Sequence, residues 1–250
     1  MTGNPLRRTS VLAGMLLFVQ GIVLAMILAA VPARVLLPIT FGLPGGLERI
    51  VFIRLDLAAA VIVLCLLVAI SRLLVVTPRV FPRYFSAVQN TRHTARWIEF
   101  AFSSSITIFL VARLNGVSDI GTLVLSYAIT SGMTLFIVIQ ELSPRSANGR
   151  MFALWCAAAI GIVPWGVIAF HQIAALVLGQ PPSLLARVIT LTMLAFSFAF
   201  FFSHWREQRR SDPARSDAGE RMHILLSLVS TSVFAWLVVL GVVGVGNVRL

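Results

Sequence analysis

The chain has 250 residues, of which 58% are hydrophobic and only 12% charged, and its mean hydropathy is +0.95. A soluble domain carries roughly 25% charged residues, so composition excludes one and leaves a polytopic protein whose solvent is the lipid bilayer. The formal charge of +11 comes from basic residues at the ends of apolar segments, where anionic headgroups attract them; they form no stripe suited to nucleic acid, which is not expected as a partner.

Apolar runs predict an all-α membrane protein of seven transmembrane helices, one domain over residues 1–250. The first helix is expected at Ser10–Ala30, behind Arg7 and Arg8. Its apolar run is longer than that of a secretion signal, so it reads as a retained helix. Residues 33–56 read as an extracellular β-hairpin, two β-prone runs about Gly42-Leu-Pro-Gly-Gly46. Exposed strands of this kind suit pairing with a second subunit. The remaining helices are expected at Leu55–Val76, Arg96–Arg113, Ile120–Ile139, Met151–Phe170, Leu184–Trp205 and Met222–Val245. Cys65 and Cys156 fall inside apolar segments and read as small buried residues. His93, His171, His204 and His223 fall near segment ends and read as interfacial. No Cys/His spacing suggests zinc, and no Ser/His/Asp spacing suggests an enzyme.

All twenty basic residues are arginine, and the sequence contains no lysine. With a cytoplasmic N-terminus, 14 arginines fall on the cytoplasmic side and 6 outside. The cytoplasmic set includes Arg7, Arg8, Arg72, Arg145, Arg150, Arg210, Arg215 and Arg221, and the outer set includes Arg113, Arg187 and Arg249. The positive-inside rule therefore predicts a multi-pass cell-membrane protein with its N-terminus cytoplasmic and its C-terminus, after seven crossings, extracellular.

Charges within a membrane span are costly and mark candidate functional sites. The third helix carries one in Arg96-Trp-Ile-Glu99-Phe-Ala-Phe-Ser103-Ser-Ser105. This block resembles the third helix of heliorhodopsins. Further blocks agree with that family in order and spacing: Gly116-Val-Ser-Asp-Ile120, Gln140-Glu141, Gly161-Ile-Val-Pro-Trp165, Gly219-Glu-Arg221, and Leu226-Ser-Leu-Val229 followed by Ala235-Trp236. The resemblance runs from about Leu73 to the end and implies a rhodopsin-like seven-helix bundle of sensory or regulatory type, a cytoplasmic N-terminus, retinal as family chromophore, and a homodimer. Carried over residue by residue, it implies that Glu99 stands at the counterion position and Ser227 one turn before the retinal lysine. It places Ser103, Met133, Trp165 and Trp236 along the retinal pocket.

The departures from the family pattern are equally specific. Where the family reads Ser-Leu-Val-Ala-Lys-Ser, this chain has Ser227-Leu-Val-Ser-Thr231-Ser232, which puts Thr231 at the lysine position. An imine to retinal needs a primary amine, so no covalent cofactor is expected. The protein is expected to act light-independently, through a membrane or cytoplasmic protein partner or with a non-covalent apolar ligand. Two family histidines near the counterion align with Leu17 and Arg72. Arg72 and Glu99 fall at similar depths on consecutive helices, and an ion pair between them is expected. The alternative reading is a small membrane transporter or channel, which ion flux in liposomes would reveal.

Overall fold

The computed structural model describes residues 4–31, 34–43, 48–143, 151–209 and 216–245. The Pro44–Gly46 turn and Ala33 lie outside the described residues, as do Arg145, Arg150, Arg210, Arg215 and Arg249 of the charge count. The described chain runs α1 (Pro5–Ala30), β1 (Leu36–Gly42), β2 (Arg49–Asp56), α2 (Leu57–Val75), α3 (Phe81–Gln89), α4 (Thr94–Leu114), α5 (Ile120–Leu142), α6 (Phe152–Gly161), α7 (Val163–Val177), α8 (Leu184–Arg209) and α9 (Ser216–Val245). Seven segments are long and apolar enough to cross a membrane, with α6 and α7 together making the fifth.

Local chemistry explains how these boundaries differ from those expected. The first helix starts at Pro5 rather than Ser10, because the Asn4 side chain caps the Leu6 N–H and Pro5 occupies the first turn. Strand β2 runs to Asp56, and the second helix starts only at Leu57, where Asp56 accepts from the Ala59 N–H at 3.1 Å. At the start of α5, Asp119 accepts from the Thr122 N–H at 2.8 Å. That bond is the main reason its carboxyl titrates below the ordinary carboxylate range. The fifth span breaks after Gly161, since Pro164 supplies no N–H for a continuous helix, and it then runs on to Val177 rather than Phe170. The third, fourth, sixth and seventh helices are also longer than expected, at Thr94–Leu114, Ile120–Leu142, Leu184–Arg209 and Ser216–Val245.

The short helix α3 has no counterpart among the expected elements. It is amphipathic and presses Tyr84 and Val88 inward beside Leu6, Ala13 and Ile224. Since it follows α2, it marks one end of the bundle, and the hairpin that precedes α2 marks the other.

β1 and β2 pair antiparallel from Leu36↔Asp56 to Gly42↔Arg49, and a bulge between Ile39 and Thr40 leaves Phe52 unpaired. The other edge of β1 is taken by the α4–α5 connection, where the Thr40 N–H donates to the Ser118 carbonyl at 2.8 Å. The outer edge of β2 has no partner strand among the described residues. The main core lies between α1, α2, α4 and α9 around Leu17, Val61, Cys65, Val111 and Phe234. Cys65 is buried there and donates to the Leu17 carbonyl, while Cys156 is half-buried. Leu12, Met15, Leu125, Phe170 and Leu191 project outward, as lipid-facing residues do.

Candidate functional site

Arg72 sits in the last turn of α2 and Glu99 in the second turn of α4. These antiparallel neighbours rise 1.5 Å per residue, so their ends meet at one depth. The Arg72 guanidinium donates to Glu99 Oε2, and the two side chains are 7% and 5% exposed. From α9, Ser227 donates to Glu99 Oε1 at 3.3 Å. A buried carboxylate needs a cation and hydrogen bonds to offset its lost hydration, and here α2 supplies the first and α9 the second. Leu17, the other aligned histidine position, is buried in the core.

A second polar cluster joins α3, α4, α5, α8 and α9. Arg96, 1% exposed, forks onto Glu207 at 3.0 and 3.4 Å and approaches Glu220 at 3.4 Å. Tyr84 of α3 donates to Glu220 Oε1 at 2.7 Å. Burial, and then Glu220, push its phenol well above the ordinary range. Glu141 accepts from the His93 N–H and from Trp97 Nε1. The His93 ring lies 3.4 to 3.8 Å from Glu141, Glu207 and Glu220. A Cβ at Gly219 would collide with the Glu207 carboxylate, so glycine is what lets α9 close on α8 here.

This cluster corrects the reading of the histidines. His93, His204 and His223 are buried, not interfacial. Trp97 organises two of them edge-to-face, with ring centroids 4.8 Å from His204 and 5.9 Å from His223. In sequence these residues look like helix-end polar groups. The one signal was the recurrence of Glu and His inside otherwise apolar runs.

Between α4, α5, α6, α7, α8 and α9 lies a cavity of about 370 Å³, within the size range of small-molecule sites, roughly 300–1,000 Å³. Ser103, Met133, Trp165, Ser227 and Thr231 are among the residues that line it. Ser227, Ser230 and Thr231 share one face of α9 at the i, i+3, i+4 spacing. Trp236 does not line the cavity and packs half-buried against the main core. Five residues past Thr231, it is rotated roughly 140° away at 3.6 residues per turn. Glu99 and Arg72 also lie outside the lining, and Ser227 links the pair to the cavity wall. The break between α6 and α7 places Trp165 on the wall, and a Cβ at Gly161 would collide with the Met133 sulfur. No group of three or more His, Cys, Asp or Glu among the described residues is arranged to hold a metal.

Seven spans, five of them around an internal cavity, with an intramembrane carboxylate held by a guanidinium, define a rhodopsin-like membrane protein. The Heliorhodopsin family model matches residues 6–243, and the chain belongs to that family of retinal-binding, photoreceptor-type membrane proteins. No curated protein matches it. Neither the cavity nor the sequence offers a lysine amine, so retinal held through a lysine imine does not fit this chain.

Proposed function

We propose that this protein is a sensory or regulatory heliorhodopsin that works without a retinal Schiff base, holding an apolar ligand non-covalently between α4 and α9. The single observation behind this reading is the Arg72–Glu99 pair. A family counterion has kept its place while its cation comes from α2, not from a chromophore. Thr231, at the position the resemblance gives the lysine, contributes a hydroxyl to a cavity that has not filled in. The protein works from a multi-pass position with a cytoplasmic N-terminus, as a homodimer that meets its partner through the hairpin end or the α3 end.

The test is an absorption spectrum of the purified protein with added all-trans retinal, followed by borohydride reduction. The expected result is quenching of tryptophan fluorescence with no reduced adduct on the chain. A visible pigment that survives reduction as a covalent adduct refutes the proposal. Thr231→Lys should create such a pigment if the cavity keeps the family's geometry.

A further inference from the structure

The cavity is chemically unequal along its length. At one end Met133, Ile162 and Trp165 offer apolar surface, while at the other lie Arg96, Glu207, His204 and His223. Most of the hydroxyls in between are occupied. Thr107, Thr130, Ser197 and Ser230 donate to carbonyls three or four residues back, and Ser227 donates to Glu99. Among the described residues, the buried polar atoms of the lining left without a hydrogen-bond partner are Nε of Arg96, Nε2 of His223 and the ring nitrogens of His204, of which Nδ1 lies 3.6 Å from the Glu207 carboxylate and Nε2 faces no ion-pair partner. The two histidines are only 5% and 6% exposed. Buried groups without partners are costly, and a polar cavity end that concentrates them marks where a ligand or water completes the hydrogen bonding.

We infer that the cavity takes an alcohol-headed apolar molecule, whose hydroxyl sits between His204 and His223 and whose hydrocarbon body runs toward Met133 and Trp165. The inference rests on the non-covalent cavity proposed above. A neutral imidazole offers one donor and one acceptor, and a hydroxyl can answer either. Trp97 fixes both rings edge-to-face, and Phe100 and Phe200 hold His223 at ring separations of 5.5 and 5.2 Å. The nitrogens are therefore held in place before the ligand arrives. An acid head does not fit, because the Arg96 guanidinium is already shared by Glu207 and Glu220 and a third carboxylate would face both. An ammonium head would be taken out of water to meet carboxylates that already have partners, at a desolvation cost.

The test uses four probes with one polyene body: all-trans retinol, the corresponding hydrocarbon without the hydroxyl, retinoic acid and retinylamine. Each is titrated into the full chain in lipid nanodiscs, with tryptophan quenching as the readout. Retinol should bind about tenfold more tightly than the other three, the scale of one or two neutral hydrogen bonds. His204→Phe with His223→Phe should erase the advantage of retinol over the hydrocarbon while hydrocarbon binding persists, which also reports an intact cavity. Thr231→Val alters the cavity wall and should shift retinol and hydrocarbon binding alike, so that the ratio between them persists.

Equal binding of retinol and hydrocarbon overturns the inference and leaves the cavity reading standing, whereas no binding by any probe overturns the cavity reading itself. Tightest binding by the acid or the amine, or an advantage lost in Thr231→Val, puts the head elsewhere and overturns the inference. Should the double variant fail to fold, the wild-type ranking, His223→Phe and Thr231→Val decide.

Discussion

Neutralising Glu99 as Glu99→Gln leaves the Arg72 guanidinium 7% exposed, with an amide where its carboxylate was. Its Nε has no hydrogen-bond partner among the described residues even in the intact protein, so the Glu99 contact carries much of the compensation for burying the charge. Removing one partner of a buried pair typically costs about 3–5 kcal/mol, most of it the penalty of the charge left behind. Arg72→Gln should cost a similar amount, because among the described residues it strands the carboxylate with only the Ser227 hydroxyl. In Arg72→Gln/Glu99→Gln no charge is stranded and two amides can bond each other. The double variant should then be more stable than the sum of the singles by at least ~2 kcal/mol, a coupling expected only of residues in contact. Replacing both with apolar residues, Arg72→Met/Glu99→Leu, should be nearly neutral or stabilising, since desolvation offsets the attraction in the intact pair. Reversible unfolding in mixed micelles, followed by tryptophan fluorescence, measures all four corners. Additivity within about 0.5 kcal/mol would show that the two groups do not interact, and the account of Glu99 as a re-paired counterion would fail with it.

Tyr84→Phe removes the donor to Glu220 and should cost about 1–3 kcal/mol, with faster hydrogen exchange in α3 as it loosens from α9; unchanged exchange there refutes the anchoring role. Because burial raises the folded-state phenol pKa, the Tyr84 contribution is complete below about pH 10 and is lost as pH rises further, when only the unfolded state ionises. Tyr84→Phe should flatten that alkaline decline, and an unchanged decline assigns it to other groups. At the hairpin, Ile50, Val51, Phe52 and Ile53 are exposed along a strand whose outer edge has no described partner, so Phe52→Cys should give disulfide-linked dimers in native membranes, and a chain monomeric in membranes and mild detergent alike rules out this contact. Reporter fusions should place the N-terminus in the cytoplasm and the C-terminus outside, and a cytoplasmic C-terminus would overturn the topology.

Much of the candidate site was legible because a membrane makes sequence strict. A glutamate within an apolar span must find a cation or a proton, so Glu99 stands out in the sequence alone, and helix rise sets Arg72 at its depth. The buried histidines were illegible. His93, His204 and His223 each lie near a helix end, where a lipid-facing and a core-facing residue look alike; only rotation of the helix and the neighbours' identities put them against Trp97. Trp236 erred the other way. Its place in a family block suggested the pocket wall, but its rotation relative to Thr231 turns it into the core.

The order of apolar and polar residues along the chain by itself determined the solvent, the number of crossings and the presence of a hairpin. Composition also settled that no lysine is there to hold retinal, because these follow from transfer free energies and from which functional groups the chain contains. The tertiary structure alone decided which polar residues share a neighbourhood. Side chains on α3, α4, α5, α8 and α9 join one cluster about Arg96 and Trp97, and α2 and α9 converge on Glu99 of α4. Contacts between residues more than 100 positions apart depend on helix rotation, on the break between α6 and α7, and on the absence of a side chain at Gly219, none of which hydrophobic periodicity encodes.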